Sequence, residues 1–118
     1  MKLATCLHQF FSNYLPHIKG VSPHTIKAYR DAFTLFIPFV ANRLKIKTDS
    51  LTLDHLTPDM VLAFLVDLEK KRQNAPVTRN HRLAAIKSLA KMIRFMHPEK
   101  KRLSKKSWRF LKNDTNEN

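Results

Sequence analysis

Residues 75–97 read APVTRNHRLAAIKSLAKMIRFMH, and this stretch decides the fold. Leu83, Ile86, Leu89, Ala90, Ile93 and Met96 recur at steps of three and four, the stripe that an amphipathic helix buries. Asn80, Ala84, Lys87, Lys91 and Arg94 form a second stripe, a quarter turn or more away from the first. It is basic along its length, with one small residue, Ala84, where a close approach has room. At 1.5 Å per residue the helix is about 30 Å long, enough to lie across a nucleic-acid duplex. In a neutral chain these cations would read as a solvated helix face. This chain is not neutral.

The 118 residues carry 22 Lys and Arg against 9 Asp and Glu, a net charge of +13, and the pI is near 10.3. Such a balance calls for an anionic partner: a nucleic acid, an anionic membrane surface or an acidic protein. The length fits one domain, and 43% hydrophobic residues are enough for a small core. One Gly and six Pro leave few tight β turns, while the runs of Leu, Ile, Ala, Lys and Arg favour helices. The expected class is all-α, a bundle of four to five helices. Cys6 has no second cysteine to pair with, which fits a reducing, cytoplasmic compartment. No run approaches the ~20 apolar residues of a membrane span. The opening MKLATCLHQFF has too short an apolar region before Cys6 for an export signal, so it reads as mature cytoplasmic protein.

Taken in order, Leu7, Phe10, Phe11, Tyr14, Leu15 and Ile18 fall on one side of a first helix from Thr5 to about Pro16, closed by Lys19-Gly20. Ser22-Pro23 is an N-cap followed by Pro at the first helical position, where its missing N–H costs nothing. The second helix then runs to about Leu44 on a stripe of Ile26, Tyr29, Phe33, Phe36, Ile37 and Val40. Pro38 interrupts it and is expected to kink or end it. Lys45 to His55 reads as a polar connection. Thr57-Pro58-Asp59 repeats the cap signal with an acid in the first turn, opening a third helix to about Arg72 with Val61, Phe64, Leu65 and Leu68 inward. Gln73-Asn74 breaks the chain before the helix quoted first, and Pro98 stops that helix. We therefore expect a helical domain over residues 1–97 and a basic tail over 98–118. In the tail, EKKRLSKKSWRFLK carries seven cations and one acid, and a short helix from Ser104 is expected to bury Trp108 and Leu111.

Nothing in the chain announces chemistry. His8, His17, His24, His55, His81 and His97 are dispersed, and no Gly-rich loop exists in a chain with one Gly. No cofactor and no metal site are expected. Binding signals are stronger. The start of the second helix gathers Lys19, His24, Thr25 and Lys27, donors aimed where a helix N-terminus attracts a phosphate. The start of the fourth gathers Thr78, Arg79, Asn80 and Arg82. Two Arg there oppose the helix dipole, an arrangement easier to understand if an anion arrives. Arg and Asn are also able to pair bidentately with guanine and adenine edges. Against that, Arg79 and Arg82 border the apolar stripe, so a stem that covers the core is the plain alternative.

Three blocks together resemble the N-terminal, SAM-like core-binding domain of tyrosine recombinases, the phage integrase family. Ser22-Pro23-His24-Thr25 with Tyr29 and Phe33/Phe36 is similar to the family's S-x-x-T-x-x-x-Y-x-x-x-x-x-x-F helix. Leu56-Thr57-Pro58-Asp59 with Val61 and Phe64-Leu65 is similar to its L-T-x-x-x-v-x-x-f-l segment. Residues 76–89, PVTRNHRLAAIKSL, are close to T-x-N-R-x-L-A-A-I-R-x-F, with Asn80-His81 standing where the family has Asn-Arg. Order and spacing match over about residues 5–97.

The resemblance implies a four-helix domain gripping one face of duplex DNA, with the second and fourth helices toward the major groove. By position, it makes Thr25 and Lys27, then Thr78, Asn80, Arg82, Lys87 and Lys91, the DNA contacts. The stripes add Lys19, His24, Arg79 and Arg94. The family's catalytic arginine, lysine, histidines and nucleophilic tyrosine belong to a second domain, and neither Tyr14 nor Tyr29 has the context of that tyrosine. The expectation is a chain that binds DNA without cutting it, monomeric alone and meeting other recombinase protomers on DNA. A small helical DNA-binding regulator or recombination accessory factor would instead be a dimer on a palindromic site. An RNA-associated protein would expose aromatics for stacking, and a basic protein-interaction module would ignore DNA. Membrane-surface binding would need apolar faces that the core already takes.

Overall fold

The first helix starts at Leu3, two residues earlier than its polar pattern indicates, because the N-terminus is stitched to a distant part of the chain. In the computed structural model, which describes residues 1–71 and 76–98, the Leu3 N–H donates to the Leu51 carbonyl at 2.9 Å and the Leu53 N–H to the Met1 carbonyl at 3.1 Å. Lys2 and Thr52 form an isolated antiparallel bridge, and Lys2 Nζ donates to the Asp49 carbonyl. Helix α1, Leu3–Gln9, therefore begins with Leu3 and Cys6 already buried. It continues without a break into a π-helical segment, Phe10–Ile18. There Pro16 has no N–H to give, and the Lys19 N–H reaches back five residues to the Tyr14 carbonyl at 2.8 Å. Such wide turns are rare, and they carry a consequence for the face. Phe10, Tyr14 and Leu15 are buried, but Ile18, expected inward from an α period, is 49% exposed.

Gly20 turns the chain at φ 61°, and Ser22 caps α2, Pro23–Leu44. The Thr25 N–H donates to Ser22 Oγ at 3.2 Å. Pro38 does not end the helix; its side chain is exposed, so the ring stays out of the packed interior, and α2 runs six residues past it. The helix closes instead on Lys45, a non-glycine residue at φ 59°. The Ile46 N–H then donates to the Ala41 carbonyl, as such left-handed caps do.

The connection that follows is not merely polar. Two 3₁₀ turns, Thr48–Ser50 and Leu53–His55, direct Leu51, Leu53 and Leu56 into the core, each 2% exposed or less. Thr52 and His55 form a capping box, in which His55 Nδ1 accepts from the Thr52 N–H at 3.0 Å. Thr57 then caps α3, Pro58–Lys71, its Oγ1 accepting from the Met60 N–H at 3.2 Å. The expected Val61, Phe64, Leu65 and Leu68 are all buried. The Gln73-Asn74 break and the tail helix around Trp108 lie outside the described residues.

Helix α4, Pro76–Met96, packs on α2, on α3 and on the π-helical segment. Its buried set is wider than the sequence stripe: Ala85 and Met92 join Leu83, Ile86, Leu89, Ala90 and Ile93, whereas Met96 is 38% exposed. Aromatic rings tie the other helices to the centre. Phe36 of α2 meets Phe64 of α3 edge-on at 5.0 Å and Phe33 at 6.2 Å, and Phe33 meets Phe10 of the π-helical segment at 6.0 Å. The described residues contain helices and turns and no named strand, so the fold is all-α with four helices.

Candidate nucleic-acid interface

With α4 buried on so wide an arc, the opposite side of the helix is fixed by arithmetic. At about 100° per residue, Asn80, Ala84, Lys87, Lys91 and Arg94 fall within roughly 80° of one another. Ala85, Met92, Leu89 and Ile86, all buried, occupy the other side. Lys91 is exposed, and Asn80, Ala84, Lys87 and Arg94 are half-buried. The stripe is thus a ridge of cations centred away from most of the packed residues, with the buried Leu83 at its edge. Ala84 leaves a low point in its middle.

Arg79 and Arg82 are placed differently. On the same wheel they fall on the packed side, near Ile86 and Ile93. Arg79 Nε lies 3.6 Å from Glu69 Oε1 of α3, and its Nη1 donates to Asn80 Oδ1 at 3.4 Å. Arg82 Nε is buried and makes no hydrogen bond. The two arginines that most resembled an anion trap in the sequence sit against protein. Glu69 is the partner the sequence could not show, since the pair joins two helices ten residues apart. Thr78 is half-buried beside them.

At the α2 end, Lys19, His24 and Lys27 are exposed around the helix start. Lys19 caps the π-helical segment through its backbone. Thr25 is half-buried, and its Oγ1 accepts a hydrogen bond from the Ser22 hydroxyl at 3.1 Å, so this hydroxyl belongs partly to the cap. One turn further along, the Arg30 guanidinium stacks over the Phe11 ring at 5.0 Å. Arg30 is exposed. Because α2 and α4 pack directly on each other, both basic sets belong to one helix pair.

Concave sites lie elsewhere. A groove of about 430 Å³ is lined by Ala4, Leu7, His8, Phe11, Ser12 and Arg30, and one of about 230 Å³ by Leu3, Ala4, Leu7, Ile37, Thr48, Asp49 and Leu51. Neither includes a residue of the α4 stripe. Among the described residues no group of three or more His, Cys, Asp or Glu is placed to hold a metal ion. No helix is long and apolar enough to cross a membrane. The charged surface is a ridge, suited to an extended polyanion more than to a small molecule.

A family model described as the N-terminal SAM-like domain of phage integrase matches residues 8–97. The chain belongs to the phage integrase family. Two relatives from Sinorhizobium fredii (strain NBRC 101917 / NGR234) carry the name integrase/recombinase. This integrase domain is 45% identical to y4rD over 86 residues, 73% of this chain and 31% of that protein. It is 36% identical to y4rC over 97 residues, 82% of this chain and 29% of that protein. The chain thus spans about a third of the length of the curated relatives it matches. No solved structure matches it. The match begins at the end of α1 and takes in the π-helical segment, α2, α3 and α4, including both basic sets.

Proposed function

We propose that this integrase domain grips duplex DNA through the α4 ridge and the exposed start of α2, as the DNA-binding part of a site-specific tyrosine recombinase. The observation that carries the reading is the ridge itself: Lys87, Lys91 and Arg94 in line on α4, centred opposite the buried Ala85, Leu89 and Met92. A net charge of +13 and membership of the family support it. On this reading Lys19, His24, Lys27, Lys87, Lys91 and Arg94 position the backbone, and Asn80 reaches base edges past the low point at Ala84. Thr25, Thr78, Arg79 and Arg82 hold the two helix starts in place, with Arg79 and Arg82 as supports more than contacts. Strand cleavage and rejoining are assigned to a catalytic domain that the resemblance places after this one. The domain, residues 1–97, is proposed to bind without cutting, in the cytoplasm, with residues 98–118 as a basic connection and protomers meeting on DNA.

The test is a fluorescence-anisotropy titration of a labelled duplex at several salt concentrations. If five to seven phosphates are neutralised, log affinity falls against log salt with a slope of roughly −4.5 to −6. Lys87→Ala/Lys91→Ala is expected to flatten that slope by about two units, while Arg79→Ala, whose partner is Glu69, leaves it nearly unchanged. Absence of duplex binding at low salt, or equal effects of the two variants, sinks the assignment of the ridge.

A further inference from the structure

The concave surface between α1 and α2 is lined by no residue of either basic set. Two grooves there share Ala4 and Leu7, so they form one continuous trough. The larger part, about 430 Å³, has the half-buried Leu7 and Phe11 for its apolar surface, with His8, Ser12 and Arg30 beside them. The smaller part, about 230 Å³, is lined by Leu3, Ile37 and Leu51 and ends at Thr48 and Asp49. Charge is distributed unevenly along it. At the far end Lys2 Nζ donates to the Asp49 carbonyl, so both signs are present. At the near end the Arg30 guanidinium lies over the Phe11 ring at 5.0 Å. A ring holds a cation without supplying an oxygen, so the planar fork of N–H donors keeps its capacity for a carboxylate.

We propose that this trough docks an acidic amphipathic helix of a partner protein. Two apolar side chains of that helix, one turn apart, enter the two parts of the trough, and a glutamate or aspartate pairs with Arg30. Recognition of a helix in a groove uses anchors at this spacing. A second copy of the chain is a poor occupant, since two bodies of net charge +13 repel each other. Duplex DNA is a poor one as well: a phosphate backbone satisfies Arg30 but leaves Leu7 and Phe11 in water. An acidic helix with apolar anchors satisfies both. The inference stands apart from the DNA reading, because no residue assigned to DNA lines the trough.

The probe is an end-blocked helical peptide with leucines one turn apart and glutamates between them, titrated into the full isotope-labelled chain without DNA. Amide shifts in the nuclear magnetic resonance spectrum are expected to concentrate on Ala4, Leu7, His8 and Ser12. Arg30→Gln is expected to weaken binding about tenfold, the loss of one charge-assisted hydrogen bond. Lys91→Gln removes the same charge from the α4 ridge and is expected to leave the affinity nearly unchanged. Ala4→Trp, at an exposed position of α1, fills the trough and is expected to abolish binding with far-ultraviolet circular dichroism unaltered. Absence of peptide binding overturns the proposal. So do shifts centred on Asn80 to Arg94, or equal weakening by Arg30→Gln and Lys91→Gln, since either result reduces the peptide to a general polyanion. Weakened duplex binding by Arg30→Gln with peptide affinity intact overturns it too and gives Arg30 to DNA.

Discussion

Tyr29 shows how one residue joins the packing to a solution property. Its ring stacks parallel to Phe10 at 6.5 Å, and burial raises the pKa of its phenol because the charged form loses hydration. A folded-state pKa above the unfolded value of about 10 means the native state holds its proton more tightly. That contribution to stability is present below about pH 10 and lost as pH rises through the folded value. Tyr29→Phe is therefore expected to unfold with a flatter pH dependence above pH 10, measured by urea midpoints from about pH 8 to 11.5; Tyr14 is common to both proteins and cancels. An identical decline in both would remove Tyr29 as its source. Residue-scale features of this kind divide by legibility. Ser22, Thr57 and Gly20 are readable because caps and left-handed turns depend on one or two neighbours. Lys45 at positive φ is not, since a residue other than glycine closes α2 there, with the Ile46 N–H bonded back to the Ala41 carbonyl. The Arg79–Glu69 pair is likewise invisible in one dimension.

At the scale of elements, periodicity carried the reading wherever the helix is regular. α2, α3 and α4 appear within a residue or two of the bounds their caps and stripes indicate, and the inward residues of α3 all went inward. The failures have a common physical cause, a local change of period or of partner. The π-helical turns after Gln9 rotate Ile18 out to solvent, and the 3₁₀ turns after Lys47 convert an apparent polar link into a source of three core leucines. Neither period is the one a 3.6-residue stripe tests for. The aromatic path from Phe10 through Phe33 and Phe36 to Phe64 joins three of these elements. Phe36 stands in its middle at 0% exposure. Phe36→Ala is expected to cost about 3–5 kcal/mol, comparable to the whole stability of a small domain. Thermal melting followed by circular dichroism checks this: an undiminished melting temperature would mean that α2 and α3 are held together by other contacts.

For the whole molecule, the arrangement of charge matters more than its total. Cations line the ridge of α4 and the start of α2, while five of the nine acids fall from Asp49 to Glu69, on the connection and α3. That asymmetry was legible from the order of charges along the chain. Which cations lie against the core was not, because it depends on how far around α4 the core extends. Ala85 and Met92 widen the buried arc and thereby confine the outward cations to a single row, leaving Arg79 and Arg82 against protein.

The stitching of Met1–Leu3 to the Leu51–Leu53 backbone has a practical side for anyone handling the protein. Met1–Leu3 act as a structural strap on the connection between α2 and α3, so a fusion partner abutting Met1 or a trimmed start is expected to loosen that connection. Removing residues 1–3 is expected to lower the melting temperature and speed amide exchange at Leu53, whose N–H donates to the Met1 carbonyl, with the ridge of α4 little altered.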